Sequence, residues 1–278
     1  MPSVVIAAFN EANVIDVCLS ALTSDPSDLE ILVVPNGCTD ATAEVARSFP
    51  GVVVIELPGP GKAAALNAGD AAARTFPRAY LDADMSVSGR DLERLFGALD
   101  GQVLAVAPRR EVDVSGRPLP IRAYFAIHRH LPVMAGSLFG RGLVVVSEEG
   151  RQRFTAFPDL VADDLFLDGL FGPAQKLVVA DVVSVVQAPR RTADLYRRLV
   201  RVRRGNAVMR VQAGTAGVRS SVAPADRTAW LRVVLIKRPW LAPAAAWYVA
   251  LSLAAAVGAR RDDHGTWGRD ESSRQQVA

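Results

Sequence analysis

Short apolar runs alternate with helix-like segments over the first hundred residues, and this alternation constrains the fold more than any other feature. The runs cover residues 4–8, 31–34, 52–57 and 79–81. Strands with no polar alternation are buried on both faces, which is typical of a parallel sheet covered by helices. The sequence therefore predicts an α/β protein with a Rossmann-like, mostly parallel sheet flanked by helices.

Polar clusters follow three of these runs. The clusters are Phe9-Asn10-Glu11, Asn36-Gly37 and Asp82-Ala83-Asp84. Ligands of parallel sheets bind at the carboxyl ends of the strands, so we expect the three clusters to share one edge. Asn10 is also expected to cap the helix that follows the first strand.

The pair Asp82 and Asp84 is a candidate metal site. In an extended chain, residues two apart point to the same side, where two carboxylates suit Mg²⁺ or Mn²⁺. Such pairs also arise by chance, so the position of this one after an apolar strand is its main support. A second acidic pair, Asp163 and Asp164, is either the start of a helix or a general base that deprotonates a sugar hydroxyl.

The stretch Gly59-Pro60-Gly61-Lys62 is not a phosphate-binding P-loop. Glu56 stands where the first glycine is required, and Ala63 stands where Ser or Thr is required. Lys62 is then either a point charge for a phosphate or a surface lysine.

Charge and hydropathy single out the last third of the chain. Residues 190–261 carry 15 basic and 2 acidic side chains, a density that predicts either a polyanionic partner or a solvated basic face. Residues 239–259 carry no charge and are long enough to span a bilayer, to lie along it, or to form a buried helix. The arginines lack the aromatic interleaving of nucleic-acid sites, so no nucleic acid is expected as a partner.

Composition excludes several classes of protein. Half of the residues are hydrophobic, which argues against disorder. Two cysteines, Cys18 and Cys38, are too few for a disulfide scaffold, and no Cys/His cluster has zinc spacing. The first residues lack a basic and apolar leader, so no signal peptide is expected.

Four motifs occur in a set order within the first 85 residues. They are Ala7-Ala8-Phe9-Asn10-Glu11, Pro35-Asn36-Gly37-Cys38-Thr39-Asp40, Gly61-Lys62-Ala63-Ala64-Ala65-Leu66-Asn67-Ala68-Gly69 and Asp82-Ala83-Asp84. Together they resemble family 2 glycosyltransferases, clearly over residues 3–100 and moderately to about 210. Asp163 and Asp164 fall where that family carries an acidic pair. The resemblance implies the GT-A nucleotide-diphospho-sugar transferase fold with C-terminal helices.

The resemblance also implies roles for individual residues. Those implied for nucleotide contact are Ala7, Phe9, Asn10, Glu11, Asn36, Lys62, Asp82 and Arg201. Asp84 and Asp82 would hold Mg²⁺ or Mn²⁺, and Asp164, or else Asp163, would be the catalytic base. The implied reaction is a single displacement with inversion, from a nucleotide-sugar donor to a sugar or lipid-linked acceptor.

Two departures from the family pattern bear on which donor the protein uses and on whether it is processive. Pro35 replaces an Asp that often reads uracil, which puts a UDP donor in doubt. Of the Gln-x-x-Arg-Trp motif of processive relatives, Arg201 alone remains, because Arg198 and Val202 replace the Gln and the Trp. A transferase that adds one sugar per event therefore fits better than a polymer synthase.

The predicted organisation has three parts. Residues 1–212 form the catalytic domain, with a nucleotide half (1–100) and an acceptor half (101–212). Residues 213–261 form basic and apolar helices, and 262–278 a polar tail. The expected location is cytoplasmic, peripheral or single-span at the inner face of the cell membrane. The alternatives are a sugar-phosphate nucleotidyltransferase and a non-catalytic nucleotide-sugar-binding module.

Overall fold

The computed structural model describes residues 1–25, 28–131, 136–159, 163–215 and 238–261. In chain order the elements are β1 (Ser3–Ala8), α1 (Ile15–Thr23), β2 (Glu30–Pro35), α2 (Thr42–Arg47), β3 (Val52–Val54), α3 (Lys62–Ala72), β4 (Arg78–Asp82), α4 (Gly89–Gly97), β5 (Ala105–Asp113), α5 (Leu119–His128), β6 (Leu143–Val146), α6 (Glu148–Arg151), α7 (Asp163–Leu170), β7 (Lys176–Gln187), α8 (Thr192–Thr215) and α9 (Ala242–Arg261). The predicted polar tail, 262–278, lies outside the described residues.

The chain divides into two compact units. The first comprises residues 1–111 and 137–186, and the second comprises 112–136 and 187–278. The first unit holds nearly all of the sheet, and the second holds α5, α8 and α9.

A seven-stranded sheet with the order β3-β2-β1-β4-β6-β5-β7 is the framework of the first unit. β1 pairs in parallel with both β2 and β4, β2 pairs in parallel with β3, and β6 runs antiparallel to β4. The central strands are buried on both faces, and Val4, Ile6 and Val33 are fully inaccessible to solvent. The α/β fold with continuous apolar strands is thus confirmed.

Strand register brings the polar clusters together, as the sequence predicts. Ala8, the last residue of β1, is paired with Pro35 at the end of β2, and Ala7 is paired with Asp82 at the end of β4. The residues that follow these strands therefore emerge at a single edge of the sheet.

The prediction that Asn10 caps α1 is wrong. The helix begins only at Ile15, and Asn10 has a left-handed backbone with φ of 53°. Asn tolerates this conformation better than most residues. Its side-chain oxygen accepts a hydrogen bond from the Thr39 N–H at 2.8 Å. Asn10 therefore joins the loops after β1 and β2 rather than starting a helix.

Gly37 offers a test of how tightly the loop after β2 packs. Its φ is +61°, and a Cβ there would lie 2.6 Å from the Pro60 nitrogen. Gly37→Ala is expected to cost about 2–4 kcal/mol of unfolding free energy, because backbone strain and overlap add. Gly51→Ala is the matched control, since Gly51 has φ of +79° but open space around it. Urea unfolding measures both, and equal losses would show that the overlap relaxes without cost.

The helices of the second unit form their own apolar cluster. Ile121 and Phe125 of α5 pack with Leu195 of α8 and Leu251 of α9. The Trp247 indole N–H of α9 donates to the Pro120 carbonyl at 2.9 Å. Among the described residues, the helical segment Pro239–Arg260 is long and apolar enough to cross a membrane, with a mean hydropathy of 1.6.

Candidate active site

Lys62 is the centre of the candidate site. It is the first residue of α3, and its Nζ lies 2.7 Å from Asp82 Oδ1 and 2.9 Å from Asp163 Oδ1. Burial lowers the pKa of Lys62, but the two carboxylates, Asp163 first, outweigh burial and raise it well above its ordinary value. Lys62 therefore carries a permanent positive charge between two of the predicted acidic residues.

Asp164 lies beside this cluster at the start of α7. Its Oδ2 accepts a hydrogen bond from the Gly140 N–H at 2.6 Å. Burial and the neighbouring charge of Asp163 raise the pKa of Asp164 to about 6. Such a carboxylate is ionised at neutral pH and is a stronger base than an exposed aspartate, which suits it to accept a proton.

These residues line one pocket of the first unit. Lys62, Asp82, Asp163 and Asp164 form its polar part. Apolar side chains that include Leu66, Leu143 and Leu167 form the rest. The structure thus brings together four of the residues singled out in the sequence, although 101 positions separate Lys62 from Asp163.

The geometry predicted for Asp82 and Asp84 is wrong, since the chain between them is not extended. β4 ends at Asp82, and a turn follows in which the Met85 N–H donates to the Asp82 carbonyl at 3.1 Å. Asp84 is exposed in this turn. The described residues contain no group of three or more His, Cys, Asp or Glu side chains arranged around a metal. The two carboxylates still offer the hard oxygen ligands that fit Mg²⁺ or Mn²⁺, with other positions left for a ligand's oxygens.

The end of β1 and the residues after it form a strip beside the loop after β2. Ala7, Phe9 and Asn10 are half-buried, and Glu11 is 6% exposed. The Glu11 N–H donates to Thr42 Oγ1 at 2.8 Å. The buried carboxylate of Glu11 thus lies at the ligand edge of the sheet.

Asp40 holds the same loop from the other side. Its Oδ2 accepts from the Ala12 N–H at 3.1 Å, and its Oδ1 accepts from Thr42. Burial raises the pKa of Asp40, but hydrogen bonds from Thr42 and Ala12 reverse this and hold it below its ordinary value. Asp40 therefore remains an anion that fastens the strip after β1 to the start of α2.

Asn36 is a structural amide in this arrangement. It is 2% exposed, and its Nδ2 donates to the Ala8 carbonyl at 2.8 Å. Its Oδ1 accepts from the Gly61 N–H at 2.9 Å. Asn36 therefore links the end of β1 to the residue directly before Lys62, a contact that the sequence alone did not predict.

Helix α7 also holds the glycine-rich loop of residues 136–142, a second feature that sequence reasoning missed. Asp164 accepts from the Gly140 N–H, and Asp168, one turn later, accepts from the Leu138 N–H at 2.7 Å. Lys176 neutralises Asp168, with Nζ 2.6 Å from Oδ1. The four-residue spacing of the two aspartates puts them on one helix face. This spacing is the feature of the sequence from which their shared contact with the loop could have been predicted.

Arg201 belongs to a different part of the chain. It lies in α8, within the second unit, and is half-buried.

Solved structures of glycosyltransferases share this fold. The mannosyltransferase PcManGT of Pyrobaculum calidifontis, in complex with GDP-Man and Mn²⁺, matches with a TM-score of 0.63 and 21% identity over 94% of this chain and 87% of its own. Glucosyl-3-phosphoglycerate synthase of Mycobacterium tuberculosis, in complex with phosphoglyceric acid, matches with a TM-score of 0.53 and 21% identity over 80% of this chain and 81% of its own. The fold is therefore that of the GT-A glycosyltransferases.

Sequence comparison places the chain within that class. Residues 3–140 match the model of glycosyl transferase family 2. An uncharacterized glycosyltransferase of Mycobacterium tuberculosis is 40% identical over 111 residues, which are 40% of this chain and 49% of that protein. Glycosyltransferase AglE of Haloferax volcanii is 38% identical over 107 residues, 36% of this chain and 35% of its own. Through residues 3–140 the chain belongs to glycosyltransferase family 2, as its motifs predicted. The matches span half or less of these curated relatives.

Proposed function

We propose that the protein is an inverting glycosyltransferase that moves a sugar from a nucleotide-sugar donor to a sugar or lipid-linked acceptor. One observation carries the proposal: Lys62, Asp82, Asp163 and Asp164 meet in a single pocket at the carboxyl ends of the parallel strands. This is where ligands of such sheets bind. Structures of fold relatives hold nucleotide sugars, GDP-Man in one and UDP-GlcNAc in another.

Asp164 is the proposed general base. Its carboxylate accepts the proton of the acceptor hydroxyl while that oxygen attacks the anomeric carbon of the donor. The bond from the anomeric carbon to the diphosphate oxygen breaks, and the nucleoside diphosphate departs with the bonding electrons. The hydrogen bond from Gly140 holds the Asp164 carboxylate in place for this step.

Lys62 and the acidic turn after β4 form the proposed diphosphate site. The ammonium of Lys62 offers a fixed positive charge to the phosphates. Asp82 and Asp84 would hold Mg²⁺ or Mn²⁺, which supplies further positive charge to stabilise the leaving group. A relative of the same fold was solved with Mn²⁺. Phe9 and Glu11 supply the proposed nucleotide-facing strip.

A thermal-shift experiment tests donor and metal binding together. A nucleoside diphosphate at about 100 times its dissociation constant adds about 2.7 kcal/mol of stability, or about 5–10 °C for a chain of this size. We expect this shift to need Mn²⁺ or Mg²⁺ and to disappear in Asp84→Ala. Asp181→Ala, an exposed aspartate on β7, is the matched control. A metal-dependent shift that survives in Asp84→Ala would remove Asp84 from the metal site.

The pH dependence of transfer tests the assignment of the base. Because Asp164 must be ionised to accept a proton and its pKa is about 6, kcat/KM is expected to fall about tenfold per pH unit below pH 6 and to level off above it. The charged neighbours that influence this pKa are Asp163 and Asp82, which raise it, and Lys62, which lowers it. The residual activity of Asp164→Asn should not show this fall in kcat/KM below pH 6. A wild-type profile that stays flat down to pH 5 would contradict the assignment.

Two other functions are alternatives, and each predicts a product or a binding result that differs from sugar transfer. A sugar-phosphate nucleotidyltransferase would release pyrophosphate from a nucleoside triphosphate. A non-catalytic module would bind nucleotide sugars without turnover. The relatives described above are named as glycosyltransferases or synthases, which favours sugar transfer.

The proposed location is the inner face of the cell membrane. It is supported by the basic composition of residues 190–261 and by the apolar segment Pro239–Arg260. A lipid-linked acceptor would be presented at such a surface.

A further inference from the structure

One face of α9 is buried against the other helices of the second unit. Ala245, Leu251 and Ala255 are between 0 and 6% exposed. Leu251 packs in the cluster that includes Leu195 of α8. Gly258 lies so close to Tyr196 of α8 that it leaves no room for a side chain. α9 is therefore packed against α8 from Leu251 to Gly258.

The opposite face of α9 is exposed and apolar. Ala246, Ala250, Leu253 and Val257 lie on it, at spacings of four, three and four residues, which form one stripe along a helix. Leu253 is 62% exposed and Val257 is 47% exposed. A helix that faces water normally carries polar residues on its outer face. This stripe therefore fits an apolar medium better than water.

Positive charge is concentrated in the unit that carries the apolar stripe. The described part of the second unit carries fourteen arginines and two acidic residues. Arg203 of α8 is exposed, on the helix that packs against α9. Arg238 and Arg260 stand at the two ends of the apolar segment. An apolar helix face in a unit this rich in arginine complements an anionic lipid surface.

The arginines of α8 argue against a helix that crosses the bilayer. Five of them, Arg197, Arg198, Arg201, Arg203 and Arg204, fall within two turns of the helix that packs against α9. If α9 spanned the membrane, α8 would carry these charges into hydrocarbon, which is costly. With α9 in the plane of the interface, the same charges meet lipid headgroups.

We propose that α9 is an in-plane membrane anchor, whose apolar stripe enters one leaflet of an anionic bilayer while the arginines of α8 bind its phosphates. The inference deepens the proposed function and rests on it for the expectation that the enzyme works at a membrane. The occupant is a lipid surface, rather than a second copy of the chain, because two copies of a unit whose described part carries fourteen arginines and two acidic residues would repel each other.

Vesicle co-sedimentation of the whole purified chain tests the anchor. Binding is expected to vesicles that contain phosphatidylglycerol, to be weak with phosphatidylcholine alone, and to fall as salt is raised. Leu253→Glu should weaken binding about tenfold or more, because it places a charge in the stripe. Val17→Glu, at a similarly exposed apolar site on α1 (54%), should bind as the wild type does.

Probe depth distinguishes an in-plane helix from a spanning one. In a Cys38→Ser background, single cysteines are introduced at positions 246, 250 and 257 and labelled with a fluorophore. Lipids brominated near the headgroup or near the end of the acyl chain then quench each label according to its depth in the bilayer. All three labels should be equally shallow. A deep label at 250 with a shallow one at 257 would overturn the in-plane proposal.

Two further outcomes would also overturn it. One is failure to bind any vesicle. The other is a lipid-free dimer that Leu253→Glu, or the milder Leu253→Ser, converts to monomer. Neither affects the nucleotide-dependent thermal shift, which reports on the candidate active site. Failure of the anchor and failure of the proposed transferase are therefore distinguishable.

Discussion

Asp164→Asn is expected to lower kcat of sugar transfer about 10²–10⁴-fold, with little change in donor affinity. The amide oxygen of Asn can still accept the hydrogen bond from Gly140, so the loop of residues 136–142 should keep its place. The amide is not basic, however, and cannot take the proton of the acceptor hydroxyl. Steady-state kinetics give kcat, and the thermal shift with a nucleoside diphosphate gives donor binding.

The neighbouring aspartate supplies the decisive comparison. Asp163 is bound to Lys62 at 2.9 Å, so Asp163→Asn should act mainly on the diphosphate site and change KM for the donor. Asp181→Asn on β7 controls for the loss of a charge elsewhere. If Asp163→Asn abolished kcat and Asp164→Asn did not, the role of base would belong to Asp163.

Asp70→Ala is expected to destabilise the first unit by about 3–5 kcal/mol. Asp70 of α3 is 6% exposed and accepts hydrogen bonds from Arg78 at 2.5 Å, Tyr80 at 2.6 Å and Arg151 at 2.7 Å. Burial raises the pKa of Asp70, but these bonds, the one from Arg151 first, hold it below its ordinary value. Its removal leaves the Arg78 guanidinium buried without its counter-ion.

Urea unfolding of the purified chain measures this loss. Glu111→Ala is the control, because Glu111 pairs with Arg109 at 2.5 Å while 52% of its side chain is exposed. Exposed pairs contribute about 0–1 kcal/mol. A loss for Asp70→Ala no larger than that for Glu111→Ala would show that the buried network relaxes or admits water.

Some of the candidate site could be predicted from local pattern. Continuous apolar strands indicated a parallel sheet, and the polar residues that follow those strands indicated its ligand edge. Asp82 was a candidate for this reason, whereas Lys62, Asp163 and Asp164 were candidates from their own short motifs and from the resemblance to family 2 glycosyltransferases. That the four side chains meet was not predicted. Lys62 contacts Asp163 across 101 positions, and no local periodicity encodes such a contact.

Other features depended on contacts that local pattern does not contain. Asn10 has the residue type of a helix cap, yet its partner is Thr39 on another loop. Asp82 and Asp84 have the spacing of an extended pair, yet the strand ends at Asp82. A side-chain type specifies which hydrogen bonds a residue can make, but the backbone around it decides which of them it makes.

By itself, the sequence determined the fold class, the family and the edge of the sheet where chemistry is expected, because hydrophobic periodicity and short motifs are local properties. The tertiary structure decided that Lys62 contacts two aspartates and that the buried Asn36 side chain hydrogen-bonds to Ala8 and Gly61. It also decided that α9 has one buried face and one exposed face. These features depend on contacts between segments that are far apart in the sequence. The burial of a side chain and the distance between two charges are defined only when the chain is folded.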